Sequence, residues 1–277
     1  MTRFRASAKP TRTWKHFDLE VDDLGVATLT FTRPDKLNAI TFDVYADLRD
    51  LTAELPNRRE EVKVLVLRGR GKGFCSGGDV HEIIGPLLGM DPTTRLEFTR
   101  MTCQVVQNLR EMPQPVIAQV HGVAAGAGSV LALASDFRLL GESGSFAFLF
   151  TKVGLSGGDM GSAYLLPRLV GFARATELLM LGDRIDARRA YEVGLCNAVH
   201  SDDELEVAVR ALADRLATGP VEAYANTKRL LSRELDLDLH GALELEAMTQ
   251  AHLMSSEDFA EFHRAFTARE KPRWKGR

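Results

Sequence analysis

Two glycine-rich segments could place backbone amides around one oxygen atom. They are Gly73-Phe74-Cys75-Ser76-Gly77-Gly78-Asp79 and His121-Gly122-Val123-Ala124-Ala125-Gly126-Ala127-Gly128, and each follows a run typical of a β-strand. Small residues at a strand-to-helix turn leave N–H groups unpaired and directed into a cavity. Two N–H groups that converge on one carbonyl oxygen form an oxyanion hole, which stabilises negative charge developing on that atom. The alternative is purely structural, because small residues also let a helix pack closely on a sheet.

Neither segment matches a phosphate-binding motif. The stretch Gly126-Ala127-Gly128 lacks the GxGxxG form, and no GxxxxGK[ST] occurs in the chain. The sequence therefore does not predict a phosphate cradle of either kind.

Strand-like and helix-like patterns alternate around the two segments. Strand patterns cover residues 25–32, 62–67, 116–120 and 136–140. Helical spacing of apolar residues follows Thr41, a suitable N-cap, and recurs at 93–109 and before Ala134. Beyond Asp159, helical patterns fill most of the chain to Ala268. This order predicts an α/β core to about residue 200 and a helical C-terminal region.

Composition excludes several classes of protein. The chain has 277 residues, 45% of them hydrophobic, and 35 basic against 38 acidic side chains. A net charge of −3 gives no electrostatic basis for binding nucleic acid or a membrane surface. No apolar run reaches the roughly 20 residues of a transmembrane helix. The three cysteines, Cys75, Cys103 and Cys196, form neither a disulfide framework nor a CxxC metal site. We therefore expect a cytoplasmic protein without a metal, and we expect the basic residues 1–16 to be a disordered extension.

The motifs together resemble the crotonase (enoyl-CoA hydratase/isomerase) superfamily. The resemblance runs from Arg33-Pro34 to the C-terminal Pro272-Arg273-Trp274-Lys275-Gly276-Arg277, and its most specific parts are the two glycine-rich segments and Gly182-Asp183-Arg184-Ile185. It implies a spiral of ββα units over residues 17–200 and a helical region, 201–277, that builds a homotrimer or a hexamer. It also implies an acyl-CoA thioester substrate whose oxygen is bound by the N–H groups of Gly78 and Ala127. Coenzyme A would then arrive as part of the substrate, with no separate cofactor.

One departure from the family pattern concerns acid–base catalysis. Enoyl-CoA hydratases that resemble this chain carry two glutamates, at the positions that here hold Val130 and Phe150. Hydration requires one group to activate water and another to protonate the α-carbon. The two-glutamate mechanism of hydration is therefore not expected here.

The acid that remains in this region is Asp159. It looks like the proton-transferring carboxylate of dienoyl-CoA isomerases and also like the nucleophile of aryl-CoA dehalogenases. Gly157 and Gly158 would let the backbone approach a ligand, and Phe148, Phe150 and Met160 would partly desolvate the carboxylate and raise its pKa. The structural alternative is that Asp159 caps a helix that starts near Gly161. The partner acids of the dienoyl enzymes would fall at Val130 and Thr151, so Asp159 would act alone.

Further contacts are expected from the resemblance. Residues predicted to bind coenzyme A are Lys36, Asn38, Ser76, Asp79 and Lys271, with Arg273 an alternative to Lys271 in the C-terminal tail of a neighbouring subunit. Residues predicted to line an acyl pocket are His81, Val130, Phe150 and Tyr164. Structural alternatives are a helix first turn for His81 and a core position for Tyr164, while Cys75 and His121 are expected to pack rather than react. Phe146, Phe148 and Phe150 hint at an aromatic or bulky acyl group, although strand phenylalanines commonly fill the core.

The sequence thus predicts an enzyme that acts on an acyl-CoA thioester through an enolate-like intermediate. Double-bond isomerisation with Asp159 as proton carrier is favoured over hydration. Two alternatives stay open: a thioester hydrolase or aryl-CoA dehalogenase with Asp159 as nucleophile, and a non-catalytic acyl-CoA-binding homologue.

Overall fold

The computed structural model describes residues 13–277, and its strands form two sheets. The strands are β1 (Phe17–Val21), β2 (Val26–Phe31), β3 (Val64–Gly69), β4 (Val116–Val120), β5 (Val123–Ala125), β6 (Phe137–Gly141), β7 (Ser145–Ala147), β8 (Ile185–Asp186) and β9 (Ala198–His200). The larger sheet has the order β1-β2-β3-β4-β6-β9, and the smaller one has the order β5-β7-β8. Strands β1 and β2 are antiparallel, whereas β2, β3, β4, β6 and β9 run parallel.

Helices connect the strands and make up the C-terminal part of the chain. They are α1 (Phe42–Glu54), α2 (Gly85–Leu88), α3 (Pro92–Glu111), α4 (Ala127–Ala134), α5 (Ser162–Val170), α6 (Phe172–Leu181), α7 (Ala187–Glu192), α8 (Asp202–Ala217), α9 (Val221–Arg233), α10 (Leu239–Leu253) and α11 (Glu257–Ala268). A π-helical turn, Val80–Ile84, leads into α2, and a 3₁₀ turn, Leu149–Val153, follows β7. In residues 13–277, no helix is both long and apolar enough to cross a membrane.

A repeated ββα unit builds the core. Each unit contributes a strand to the larger sheet, a short extended piece beside the smaller sheet, and then a helix. The sequence of pieces is β2, Ile40 and α1; β3, Cys75 and α2–α3; β4, β5 and α4; β6, β7 and α5. Isolated bridges join Ile40 to Gly78 and Cys75 to Ala124, so successive units pair side by side. The predicted α/β spiral with C-terminal helices is confirmed.

Local predictions agree with the structure in most places. The Oγ1 of Thr41 accepts a hydrogen bond from the N–H of Val44 at 3.3 Å and caps α1 as expected. Two details are wrong. The second glycine-rich segment contains β5, which its small residues concealed, and Phe150 lies in the 3₁₀ turn after β7 rather than on a strand.

Helix α8 covers one face of the larger sheet. Leu205 and Val209 pack with Val64, Val66 and Ile117 in a buried cluster. The first helix of the predicted oligomerisation region therefore also completes the core of the spiral. At the other end of the described chain, Trp14 stacks on Phe17 with ring centroids 5.0 Å apart. Residues 1–12, most of the predicted extension, lie outside the described part.

The last two helices expose many apolar side chains. Helix α10 has no buried residue. Exposed apolar side chains of α10, α11 and the turn between them are Leu239, Leu243, Met248, Met254, Phe259, Phe262 and Phe266. An exposed apolar surface of this kind is typical of a protein interface.

A buried ionic cluster joins α9 to the core, and we expect it to be important for stability. Asp136 accepts the N–H of Val116 at 2.8 Å and forms ion pairs with Lys228 at 2.8 Å and with Arg110 at 3.2 Å. The substitution Asp136→Ala leaves the buried Lys228 ammonium without its counter-charge, which costs about 3 kcal/mol of unfolding free energy. Urea denaturation measures this loss. Asp183→Ala, which breaks the exposed pair with Lys152, should change the unfolding free energy by less than about 1 kcal/mol. Equal effects of the two variants would contradict the prediction.

Candidate active site

The two glycine-rich segments run side by side. The N–H of Cys75 donates to the carbonyl of Val123 at 3.1 Å, and the N–H of Ala125 donates to the carbonyl of Cys75 at 2.8 Å. A Cβ atom at Gly128 would lie 2.2 Å from the carbonyl oxygen of Cys75. Glycine at this position therefore permits the close approach that brings the turn after β3 against the start of α4.

The N–H group of Gly78 points away from its neighbouring strand. Ile40 donates to the carbonyl of Gly77 and accepts from the N–H of Asp79, both at 2.8 Å. In a parallel bridge the residue between two such bonds directs its own N–H to the opposite side. The Gly78 amide is therefore left without a partner from Ile40.

The N–H group of Ala127 is the first of α4 and has no partner inside the helix. It follows Gly126, whose φ of +49° is a conformation that favours glycine. A Cβ atom at Gly77 would lie 3.4 Å from the Ala127 nitrogen, so the two turns meet at this point. In residues 13–277 neither the Gly78 nor the Ala127 amide donates a hydrogen bond. Two unpaired donors at one junction can bind an oxygen atom.

Asp159 is a half-buried carboxyl group on the loop before α5. Its Oδ1 accepts the N–H of Met160 at 2.8 Å, and in the described chain its other oxygen has no hydrogen-bond partner. Burial raises the pKa of Asp159, although the bond from Met160 partly offsets this. The carboxyl group is thus less acidic than usual and keeps one oxygen available.

Asp159 does not cap α5, so the structural alternative is wrong. Gly161 is the N-cap residue, and no side chain caps the first turn. The Oγ of Ser162 instead accepts the N–H of Asp159 at 3.1 Å and donates to the carbonyl of Gly157 at 2.7 Å. Gly157 is needed because a Cβ there would lie 2.3 Å from the carbonyl oxygen of Leu179 in α6. Glycine at this position therefore permits the close packing of the loop against α6.

The raised pKa of Asp159 leads to a prediction about the thermal stability of the protein. Because folding raises this pKa above its usual value of 3.8, the folded chain binds the proton more tightly than the unfolded chain does. The stabilisation is complete below that value and is lost as the pH rises through the folded-state pKa. We expect Asp159→Asn to have a higher Tm than the wild-type protein at pH 7, with the difference shrinking toward pH 4. Thermal denaturation at both pH values measures it, and a lower Tm of the variant at pH 7 would contradict the expectation.

The two positions that the resemblance matches to the hydratase glutamates are buried and apolar. Val130 lies in α4 and is fully buried, and Phe150 is 8% exposed. Phe146 and Phe148 are fully buried in the main core cluster, so they fill the core rather than line an acyl pocket. The hint of an aromatic acyl group that rested on these two residues is therefore not supported.

Two of the residues predicted to bind coenzyme A form hydrogen bonds within the chain. The amide of Asn38 donates to the carbonyls of Arg70 and Gly73 at 2.9 and 2.8 Å, and its oxygen accepts the N–H of Arg33 at 3.0 Å. Asp79 accepts the N–H groups of His81 and Glu82, both at 3.0 Å, and pairs with Arg33 at 3.2 Å. These bonds hold the pKa of Asp79 below its usual value, and the N–H of Glu82 has the largest effect. Both side chains are already satisfied within the chain.

The other residues predicted to bind coenzyme A are exposed or form a hydrogen bond near the first glycine-rich segment. Lys36 and Lys271 are exposed, as is Arg273. The Oγ of Ser76 donates to the carbonyl of Lys36 at 3.3 Å, which ties the first glycine-rich segment to the loop that carries this lysine.

Two of the predicted acyl-pocket residues have exposed side chains. His81 is exposed on the π-helical turn. Tyr164 does not reach Asp159: its hydroxyl donates to Asp236 at 2.6 Å, and the guanidinium of Arg168 lies 3.5 Å above its ring. Tyr164 is 38% exposed, so the alternative of a core position is wrong, while its place in an acyl pocket stays a prediction.

Cys75 and His121, which were expected to pack rather than react, have structural roles. Burial raises the pKa of the Cys75 thiol to about 12, so this cysteine is not activated. His121 bonds through Nε2 to the carbonyl oxygen of Gly71 at 2.8 Å.

Sequence reasoning missed the groups that surround Asp159. The hydroxyl of Tyr45, a buried residue of α1, contacts the sulfur of Met160 at 3.9 Å. Burial, and then the charges of Cys75 and Asp159, raise the pKa of Tyr45. Burial and the charge of Asp159 also raise the pKa of the Cys103 thiol on α3. Tyr45 and Cys103 come from α1 and α3, and no local motif marks either of them.

Two paired turns on a spiral of ββα units place the chain among the enzymes of the crotonase superfamily. The family model for enoyl-CoA hydratase/isomerase matches residues 22–277. The chain belongs to this family and is an enzyme, a lyase or an isomerase.

Known relatives extend over nearly the whole chain. The "1,2-epoxyphenylacetyl-CoA isomerase" of Escherichia coli K12 is 34% identical over 261 residues, which cover 94% of this chain and 99% of that protein. The "Trans-2-decenoyl-[acyl-carrier-protein] isomerase" of Streptococcus mutans is 29% identical and covers 92% of this chain and 96% of its own. A crystal structure from Streptomyces coelicolor A3(2), named "putative enoyl-CoA hydratase", is 59% identical with a TM-score of 0.95 and covers 100% of both chains.

Proposed function

We propose that the protein moves a double bond in an unsaturated acyl-CoA thioester. The N–H groups of Gly78 and Ala127 bind the thioester oxygen, and Asp159 carries the proton. The observation that supports this most directly is the carboxylate oxygen of Asp159 that has no hydrogen-bond partner in residues 13–277, with apolar Val130 and Phe150 at the positions where resembling hydratases have glutamates.

One carboxyl group is sufficient for this reaction. Asp159 starts as a carboxylate and removes a proton from a carbon of the acyl chain, while electron density moves onto the thioester oxygen. The enolate is stabilised by the two amides, each worth about 3 kcal/mol for a well-placed donor. The same carboxyl group, after its proton has exchanged with solvent, then protonates another carbon, and the double bond has moved. Isomerisation gains and loses no atoms, whereas hydration also requires an activated water molecule.

The raised pKa of Asp159 suits a proton carrier. A general base is most effective when its pKa is close to the working pH, since it must both accept and release the proton. Burial shifts the pKa of Asp159 in that direction. The isomerase names of the Escherichia coli and Streptococcus mutans relatives support the same reaction class.

The substrate and the assembly follow from the family and the exposed groups. Coenzyme A enters as part of the substrate, so no separate cofactor is required, and Lys36 offers an exposed cation to its phosphates. The apolar surface of α10 and α11 supports a second and third copy of the chain as partners in a homotrimer, or in a hexamer of two trimers. Lys271 or Arg273 would then contact coenzyme A bound to a neighbouring subunit.

Proton NMR in deuterated water tests the reaction class. The protein is incubated with 2-enoyl-CoA and 3-enoyl-CoA esters that carry aliphatic or aryl chains. We expect the double bond to change position with deuterium incorporated at the acyl carbons, and no 3-hydroxyacyl-CoA to accumulate. Accumulation of 3-hydroxyacyl-CoA would establish hydration instead. Release of free coenzyme A, with solvent ¹⁸O entering Asp159, would establish nucleophilic catalysis. Binding without any deuterium exchange would indicate a non-catalytic homologue.

A further inference from the structure

The hydroxyl of Tyr45 ends in the interior, at the loop that carries Asp159. The side chain is 4% exposed, and its ring meets the ring of Phe98 edge-on with centroids 5.7 Å apart. Within residues 13–277, the one hydrogen bond of the hydroxyl goes to the Met160 sulfur at 3.9 Å. Buried tyrosine hydroxyls usually find a stronger acceptor than a thioether. For packing alone, a phenylalanine would serve as well at this position.

Met160 needs support from outside its own loop. Its φ of +51° lies in the left-handed region, which is uncommon for a residue other than glycine. Such a conformation persists only where the surrounding structure holds it. The Met160 side chain is 2% exposed, and its sulfur contacts the Tyr45 hydroxyl. Helix α1 therefore supports the loop at this residue.

The backbone of Met160 in turn orients Asp159. Its N–H donates to Asp159 Oδ1 at 2.8 Å, and this leaves the other carboxylate oxygen available. A chain of contacts therefore runs from the Tyr45 hydroxyl to the Met160 sulfur, and from the Met160 N–H to the Asp159 carboxylate.

We propose that Tyr45 is a positioning residue for Asp159, which acts by holding Met160 in its left-handed conformation. The inference rests on the proposed function, because it takes Asp159 as the group that carries the proton. A carboxylate misplaced by about 1 Å can lose up to about a hundredfold in rate. Substrate binding does not pass through this contact and stays unchanged.

A double-mutant cycle tests the contact. Tyr45→Phe removes the hydroxyl and keeps the ring, and Met160→Leu removes the sulfur and keeps the volume. We expect each variant to lower kcat about tenfold, with KM changed by less than about twofold. The double variant should also lose about tenfold, because the same contact is removed only once. Losses that multiply to about a hundredfold would overturn the proposal, as would wild-type kcat in Tyr45→Phe.

The pH profile of kcat/KM distinguishes a change in the position of Asp159 from a general loss of structure. The hydrogen bond from Met160 lowers the pKa of Asp159, so its weakening should move the acid limb of kcat/KM to higher pH. The other titratable groups beside Asp159 and Tyr45 are the thiols of Cys75 and Cys103, and both pKa values lie above their usual range. They stay protonated across the acid limb and do not move it.

Controls keep the two proposals distinguishable. Tyr191→Phe removes a hydroxyl from an exposed side chain of α7 and should leave kcat and the acid limb unchanged. Tm shows whether the variants fold. If Asp159→Asn keeps full activity, the proposed function fails; if that variant is inactive while Tyr45→Phe equals the wild type in kcat and acid limb, only the role of Tyr45 fails.

Discussion

Replacing Asp159 by asparagine should lower kcat by about 10³- to 10⁴-fold. Asparagine keeps the size of the side chain and can still accept the N–H of Met160, but it cannot accept a proton at neutral pH. A positioned acid–base group contributes about 10²- to 10⁴-fold, and here one group performs both transfers, so the upper part of that range applies. The rate of deuterium incorporation into an enoyl-CoA ester measures the loss directly.

Binding should survive the same substitution. The thioester oxygen is held by main-chain N–H groups, which the Asp159→Asn variant retains, so the Kd of a saturated acyl-CoA should change by less than about threefold. Asp183→Asn is a suitable control, because that acid is exposed and pairs with Lys152 outside the proposed site. A variant at Asp159 with wild-type deuterium exchange would remove this residue from the mechanism.

The spiral was predictable because its signals are local. A strand pattern, a glycine-rich turn and a helical pattern recur along the chain, and each can be recognised within about ten residues. The same is true of the paired amides. Gly77 and Gly126 both adopt positive φ values, and small residues at such turns are visible in the sequence itself.

The roles of polar side chains were harder to predict, because their partners are distant in sequence. Asn38 bonds to Arg70 and Gly73, and Tyr164 bonds to Asp236 across 72 positions. A motif shows which side chain stands near a site, but not which of its hydrogen bonds the fold has already used. Tyr45 was missed for the same reason, since only tertiary packing brings α1 against Met160.

Helix α8 shows that the packing partner of a helix is also hard to predict from sequence. Leu205 and Val209 stand four residues apart, the spacing of an apolar helical stripe, yet a stripe does not identify the surface that it covers. The structure shows that it covers the larger sheet, through Val64, Val66 and Ile117. In α10 and α11, by contrast, many apolar side chains stay exposed, and nothing within the described chain covers them.

Removing the amide proton of Ala127 should reduce turnover by about 10²- to 10³-fold, the usual cost of losing one oxyanion-hole donor. Ala127→Pro does this with little harm to the helix. Proline is favoured at the first position of an α-helix, where the N–H has no intrahelical partner. In this chain that position is Ala127, and its N–H donates no hydrogen bond in the described residues.

Two matched variants make the experiment specific to the amide. Ala127→Gly keeps the N–H and should stay within about threefold of the wild-type kcat. Ala187→Pro places the same substitution at the first position of α7, where no part of the proposed site lies, and shows what proline alone does to folding. Ala127→Pro should weaken the binding of saturated acyl-CoA by a smaller factor than it lowers kcat, because an enolate oxygen carries far more charge than a thioester oxygen. A folded Ala127→Pro variant with wild-type kcat would show that this amide does not stabilise the enolate, and catalysis would then need a different donor beside Gly78.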